Sequence, residues 1–194
     1  MATRSAAGSV AAGRSTKEAI RDAAIRLFSV KGFDQTSLRE VADAVGITKA
    51  SLYYHYASKL DLLLAVIEPI FDELRANVDV AEGLAHDPTA VREVLAAQLR
   101  VLLRNRTAGA MCVRDSVTIL NALGDRYPDL LDIHRRLCTW LAGPDPDDAA
   151  MLRASAALEM LSSVFWSREL APGADDELIE RVLLNAALGV LGGE

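Results

Sequence analysis

The stretch TSLREVADAVGITKASLYYHYASKLD, residues 36–61, decides the fold. Ser37 with Glu40 three positions later is a capping box, in which a hydroxyl and a carboxylate satisfy the orphan amides of a helix start. The short helix it opens buries Leu38, Val41, Ala42 and Val45 and stops at Gly46. A second helix starts near Thr48 and carries residues 49–55, with Leu52 and Tyr56 as its inward side chains. Two short helices about one tight glycine turn make a helix-turn-helix.

Working toward the N-terminus, Ser15 and Glu18 form a second capping box. The helix behind it places Ala19, Ile20, Ala23, Ala24, Leu27 and Phe28 on one stripe and ends at Lys31-Gly32, after which Phe33 packs back under it. The small and polar opening, residues 1–15, reads as a disordered basic arm without the apolar core of a secretory signal.

Working toward the C-terminus, Ser58 and Asp61 open a fourth helix that runs through Leu62, Leu63, Val66, Ile67, Ile70, Phe71 and Leu74. Pro69 lies within it and removes the amide that the Ala65 carbonyl needs, so a kink is expected. Further helical patterns cover 89–106, 110–123, 128–141, 147–170 and 175–191. They are separated at His86-Asp87-Pro88, Ala108-Gly109, residues 124–128, Gly143 to Pro146, and Pro172-Gly173. No strand alternation or internal repeat interrupts them. The expected architecture is all-α: a three-helix head over 16–60, and a helical sensor and dimerisation body over 61–194 entered through a connecting helix.

Composition limits the function classes. The chain has 194 residues, 51% of them hydrophobic, enough for a sizeable core. Charged residues break every apolar run long before membrane-spanning length. The net charge of −6 hides an uneven distribution: residues 1–60 hold nine Lys/Arg against five Asp/Glu, and the rest holds 12 against 22. A basic head on an acidic body suits one end to a polyanion. Cys112 and Cys138 have neither the spacing of a zinc site nor that of a disulfide framework, which fits a reducing cytoplasm. No nucleophile with a paired base, phosphate-cradling glycine loop or metal-ligand spacing is legible, so neither an enzyme nor a cofactor or metal is expected.

The side chains over 36–59 suit DNA. Near the N-terminus of a recognition helix, Thr48, Lys49 and Ser51 can donate to base edges; Tyr53, His55 and Lys59 can grip phosphate. Tyr54 fits either a contact or packing.

Residues 16–66 closely resemble the head of the TetR family of bacterial regulators. The resemblance rests on several spacings held at once, including Gly46 to Leu52-Tyr53-Tyr54-His55 and to Lys59. It implies a cytoplasmic transcription regulator: a homodimer that binds a palindromic operator in double-stranded DNA, represses, and is released by a small-molecule effector. It also implies that Thr36 or Ser37 holds a phosphate at the start of the second helix, and that Lys59 reaches one at the start of the fourth. Leu38 departs from the pattern, standing where some members carry a base-reading arginine. That contact should be missing, leaving base reading to Thr48, Lys49 and Ser51.

Residues 151–166 show two apolar faces, and such a helix must be covered twice. Ala154, Ala157 or Leu158, Leu161 and Phe165 form one face; Leu152, Ala156, Ser163 and Trp166 lie on the other. With Leu178, Val182, Leu183, Ala186 and Val190 on the last helix, they point to a four-helix bundle of two chains, the arrangement of the resembled family. An internal hairpin is the alternative. The expected dimer contacts are Ala154, Leu158, Leu161, Phe165, Leu178, Val182 and Ala186. Met111, Cys112, Arg114, His134, Trp140, Phe165 and Trp166 are the candidate effector-pocket residues, for an apolar or aromatic molecule.

Overall fold

Ser15 and Ser37 close the two capping boxes as their sequences predict. In each, the serine hydroxyl accepts from the amide three residues on, and the glutamate there accepts from the serine amide. They start α1 (Thr16–Lys31) and α2 (Leu38–Val45). The computed structural model describes residues 15–123 and 129–192. The expected arm, apart from Ser15, and the break at 124–128 lie outside them.

Gly46 ends α2 in the left-handed region, φ 78°, a conformation that costs residues with a Cβ but not glycine. Its turn sends the amide of Ile47 back to the Ala42 carbonyl (3.0 Å) and leads to Thr48, the N-cap of α3 (Lys49–His55). Leu52 and Tyr56 are buried beneath α3, in a core shared with Ile20, Ala24, Phe28 and Val41. Phe33 packs edge-on against Phe28, with ring centroids 5.3 Å apart.

The chain divides into two compact units, one ending at Ala65 and the other beginning at Val66. The division falls inside α4 (Lys59–Glu82), which continues through Pro69 as one helix. The second unit comprises the rest of α4 with α5 (Pro88–Arg104), α6 (Arg106–Arg114), α7 (Ser116–Leu123), α8 (Asp129–Leu141), α9 (Asp148–Ser162), a 3₁₀ turn (Ser163–Trp166), α10 (Ser167–Leu170) and α11 (Asp176–Gly192). The described residues include no strand, and no described helix is long and apolar enough to cross a membrane.

Two expected boundaries move. The predicted break at Ala108-Gly109 lies inside α6, and the chain turns instead at Asn105, whose amide falls back on the Val101 carbonyl. Gly109 breaks nothing, because the ring of Phe165 occupies the space where its side chain would stand. The single helix expected over 147–170 is interrupted by the 3₁₀ turn, which sets Phe165 against α6. The core of this unit is aliphatic, with Leu95, Leu99, Leu137, Ala154, Ala157, Leu161 and Ala187 almost wholly enclosed. Ion pairs rim it: Arg136 of α8 holds Asp79 and Glu82 of α4, and Arg100 and Arg106 reach Glu180 and Asp176 of α11.

Candidate nucleic-acid interface

α3 turns one side inward through Leu52 and presents the other to solvent. Thr48 and Lys49 are exposed, Ser51 and His55 are half-buried, and Tyr53 and Tyr54 stand out at 45% and 88% exposure. An apolar ring exposed to that extent contributes little to the core, so Tyr54 does not serve as packing. The Thr48 hydroxyl accepts from the Ser51 amide, which fixes the first turn of the helix. Lys49 stands over the Tyr53 ring with Nζ 5.5 Å from its centroid, and Tyr54 meets His55 edge-on. A cation held against an aromatic beside another aromatic pair suits an anionic, hydrogen-bonding surface.

Three other predicted positions are differently engaged. Thr36 is only 2% exposed, and its hydroxyl donates to the carbonyls of Gly32 (2.9 Å) and Leu27 (3.3 Å). It ties α1 to the turn ahead of α2 instead of facing outward. Ser37 spends its hydroxyl on the capping box. Lys59 donates to the Asp34 carbonyl (3.1 Å) and lies over the Phe33 ring at 4.4 Å. Burial lowers its ammonium below the usual lysine range, against the opposing pull of Asp34 and Glu40.

Sequence reasoning missed one brace in the head. Lys31 pairs with Glu40, and this bond, together with those from Ser37, holds the Glu40 carboxyl down at about 2. Two oppositely charged residues nine positions apart gave no signal, since only the fold of α1 on α2 brings them together.

The candidate pocket residues of the second unit do not converge. Met111 is buried, Arg114 pairs with its neighbour Asp115, and Trp166 is 40% exposed. Phe165 is taken up by Gly109, and Trp140 lies edge-on to His86. Burial raises both thiols, Cys112 to about 12, so neither is a reactive thiolate at neutral pH. His134, however, lines a cavity of about 190 Å³ bounded by α4, α5, α8 and α9, with Phe71, Leu74, Gln98, Leu102 and Glu159 among its walls. Among the described residues no cluster suited to a metal ion is found.

The expected dimer residues separate by helix. Ala154, Leu158 and Leu161 of α9 are buried inside their own chain, while Leu178, Val182 and Ala186 of α11 face out. The outward apolar residues of α9 are instead Leu152, at 71% exposure, Ala156 and Met160.

The family model described as "Bacterial regulatory proteins, tetR family" matches residues 20–66. Over 58 residues the chain is 48% identical to the biofilm operon icaADBC negative transcriptional regulator IcaR of Staphylococcus aureus, a match covering 30% of this chain and 31% of that protein. The Staphylococcus epidermidis counterpart is 46% identical over 56 residues, covering 29% and 30%. The chain thus spans about a third of the length of these relatives. The structural likeness is longer. AmtR of Mycobacterium smegmatis superposes with a TM-score of 0.75 at 26% identity, over 95% of this chain and 90% of that one. The TetR family regulator PfmR of Thermus thermophilus does so with 0.69 at 25%, over 90% and 97%.

Residues 20–66 are a TetR family head, and the chain as a whole has the fold of TetR family regulators. The TetR-type head coincides with the stretch legible in the sequence, whereas the TetR-type body is recognised by its fold. Gln98 and Asn77 of that body are the polar residues that sequence reasoning overlooked, because each reads as one more polar position on an amphipathic helix.

Proposed function

We propose that this chain is a TetR family transcriptional repressor that binds a palindromic operator as a homodimer and leaves it on binding a small molecule. The observation that carries the reading is the outward face of α3. Thr48, Lys49 and Ser51 occupy its first turn and Tyr53, Tyr54 and His55 its later positions, all above a helix anchored by Leu52. In this reading the first three meet base edges, and the aromatics with His55 and Lys59 meet phosphates. Thr36 braces the fold, and Ser37 offers no more than the edge of a cap. The negative regulatory role named for IcaR supports repression.

The dimer reading rests on α9 and α11, which pack against each other. Leu152, Ala156 and Met160 on one helix, with Leu178, Val182, Ala186 and Gly189 on the other, make an exposed face of apolar and small residues. A second copy applied through a two-fold axis would cover it, and a palindromic operator requires the two recognition helices of such a pair to lie about 34 to 36 Å apart, one turn of DNA. The cavity between α4, α5, α8 and α9 is the proposed effector site. Ligand bound only by the conformation that misplaces the heads would empty the operator by shifting populations. Such a protein acts in the cytoplasm and catalyses nothing.

A gel shift with the DNA upstream of the gene tests the core of this reading. Retarded DNA that collapses on mutation of the palindrome supports it; no retardation at micromolar dimer in low salt rejects it.

A further inference from the structure

Gln98 is a polar side chain set among Leu95, Leu99 and Leu102, only 9% exposed, and it lines the 190 Å³ cavity. Its orientation follows from its neighbours. A backbone carbonyl can only accept, so the group of Asn77 that lies 3.3 Å from the Val94 carbonyl is its NH₂. The second bond of that NH₂, 3.0 Å to Gln98, must likewise end on an acceptor, which is the Gln98 oxygen Oε1. The planar amide then directs Nε2 away from Asn77, and Nε2 has no acceptor among the described residues. Nε2 stays accessible from the cavity, where a ligand oxygen would replace solvent as its acceptor.

The rest of the wall narrows the ligand. Phe71, Leu74, Leu102 and Leu137 make it largely apolar. No lysine or arginine is among the described residues that line it, and the Glu159 carboxylate is. His134, the basic group present there, engages the Cys138 sulfur at 3.4 Å. An anion would therefore meet the Glu159 carboxylate with no lysine or arginine among the described lining residues to offset it. The volume lies below the roughly 300 to 1,000 Å³ of drug-sized sites.

We infer that this cavity takes a small, uncharged, mainly apolar molecule bearing a carbonyl oxygen, and that Gln98 reads that oxygen through Nε2, with Asn77 holding the amide in register. The inference rests on the proposed effector role of the cavity but concerns only what binds there.

Calorimetric titration of the full-length protein tests it with three probes of one length: 2-octanone, 2-methyl-1-octene, in which a methylene replaces the carbonyl oxygen, and octanoate. The ketone should bind roughly tenfold tighter than either of the others. Gln98→Met should bring the ketone down to the alkene. Gln98→Glu keeps an acceptor toward Asn77 and removes the donor, so it should also abolish the preference even if the methionine variant folds poorly. Glu159→Gln should narrow the gap between ketone and octanoate. Octanoate binding as tightly as the ketone, a preference that survives in both Gln98 variants, or no binding of the ketone would overturn the inference. DNA binding is read separately by gel shift. Operator that stays bound while the ketone occupies the protein counts against effector release and leaves the ligand chemistry standing.

Discussion

The ring of Phe165 lies directly on Gly109, so close that a single methyl group on that glycine would overlap the ring edge. The contact joins α6 to the 3₁₀ turn after α9. It also makes two opposing effects measurable at one position. Replacing glycine by alanine inside a helix normally gains about 0.5–1 kcal/mol. Overpacking costs about 1–3 kcal/mol. Gly109→Ala should therefore destabilise the body in a thermal melt. On a Phe165→Ala background the same change should stabilise it, and equal effects on both backgrounds would show that the ring can step aside.

The residues proposed to face DNA should separate by the kind of effect that alanine has on binding. Alanine at Tyr53 should weaken all sequences alike with the salt dependence kept, because a phenol releases no counterion, whereas alanine at Lys59 should weaken them alike and flatten the salt dependence by roughly one unit for the phosphate no longer held in each half-site. Alanine at Lys49 or Ser51 should narrow the difference between operator and unrelated DNA. Thr36→Val should do neither, costing about 1 kcal/mol of stability because its two hydrogen bonds can no longer form. Fluorescence anisotropy at several salt concentrations distinguishes these behaviours.

Glu40 makes the head acid-sensitive. Its carboxyl titrates at about 2 in the folded chain against 4.5 for the unperturbed group, first through Lys31 and then through Ser37. A lowered folded value means that the stabilisation is fully present above 4.5 and fades as pH falls toward 2. Urea unfolding followed between about pH 5 and 2.5 should show that decline, with a shallower slope in Glu40→Gln. Parallel slopes would remove the Lys31 pair from the cause.

Charge introduced on the two faces of α9 and α11 should have different outcomes. Val182→Glu, at a position 54% exposed, should yield a helical monomer by sedimentation. Leu161→Glu buries a carboxylate in the core and should unfold the body outright. A Val182→Glu protein that still sediments as a dimer would move the interface elsewhere.

The head was legible because its signals are local. Ser15 with Glu18, Ser37 with Glu40, and Gly46 each fix a helix end within a few residues, and the structure places all of them as read. The body was less so. Two apolar faces on residues 151–166 announce that both are covered, but a helical period cannot tell which cover is the chain's own. Ala154, Leu158 and Leu161 turned inward, and Leu152 and Met160 outward. Gly109 read as a break because glycine usually marks one, and its reason for being there, the ring of Phe165, stands more than fifty residues away. The cavity polarity was illegible for a similar reason: Gln98 acquires its direction from Asn77 and Val94 on two different helices.

Lys59 carries a consequence for the kinetics of DNA capture. A free lysine side chain gives up as much as about 2 kcal/mol of rotamer entropy when it is immobilised. Here the Asp34 carbonyl and the Phe33 ring have already immobilised it, so that cost falls on folding and not on association. An arriving phosphate meets a preorganised ammonium with a depleted hydration shell. In the proposed interface Lys59 should therefore act late, slowing dissociation after the duplex has docked, whereas Lys49, exposed on the first turn of α3, would set how often docking begins.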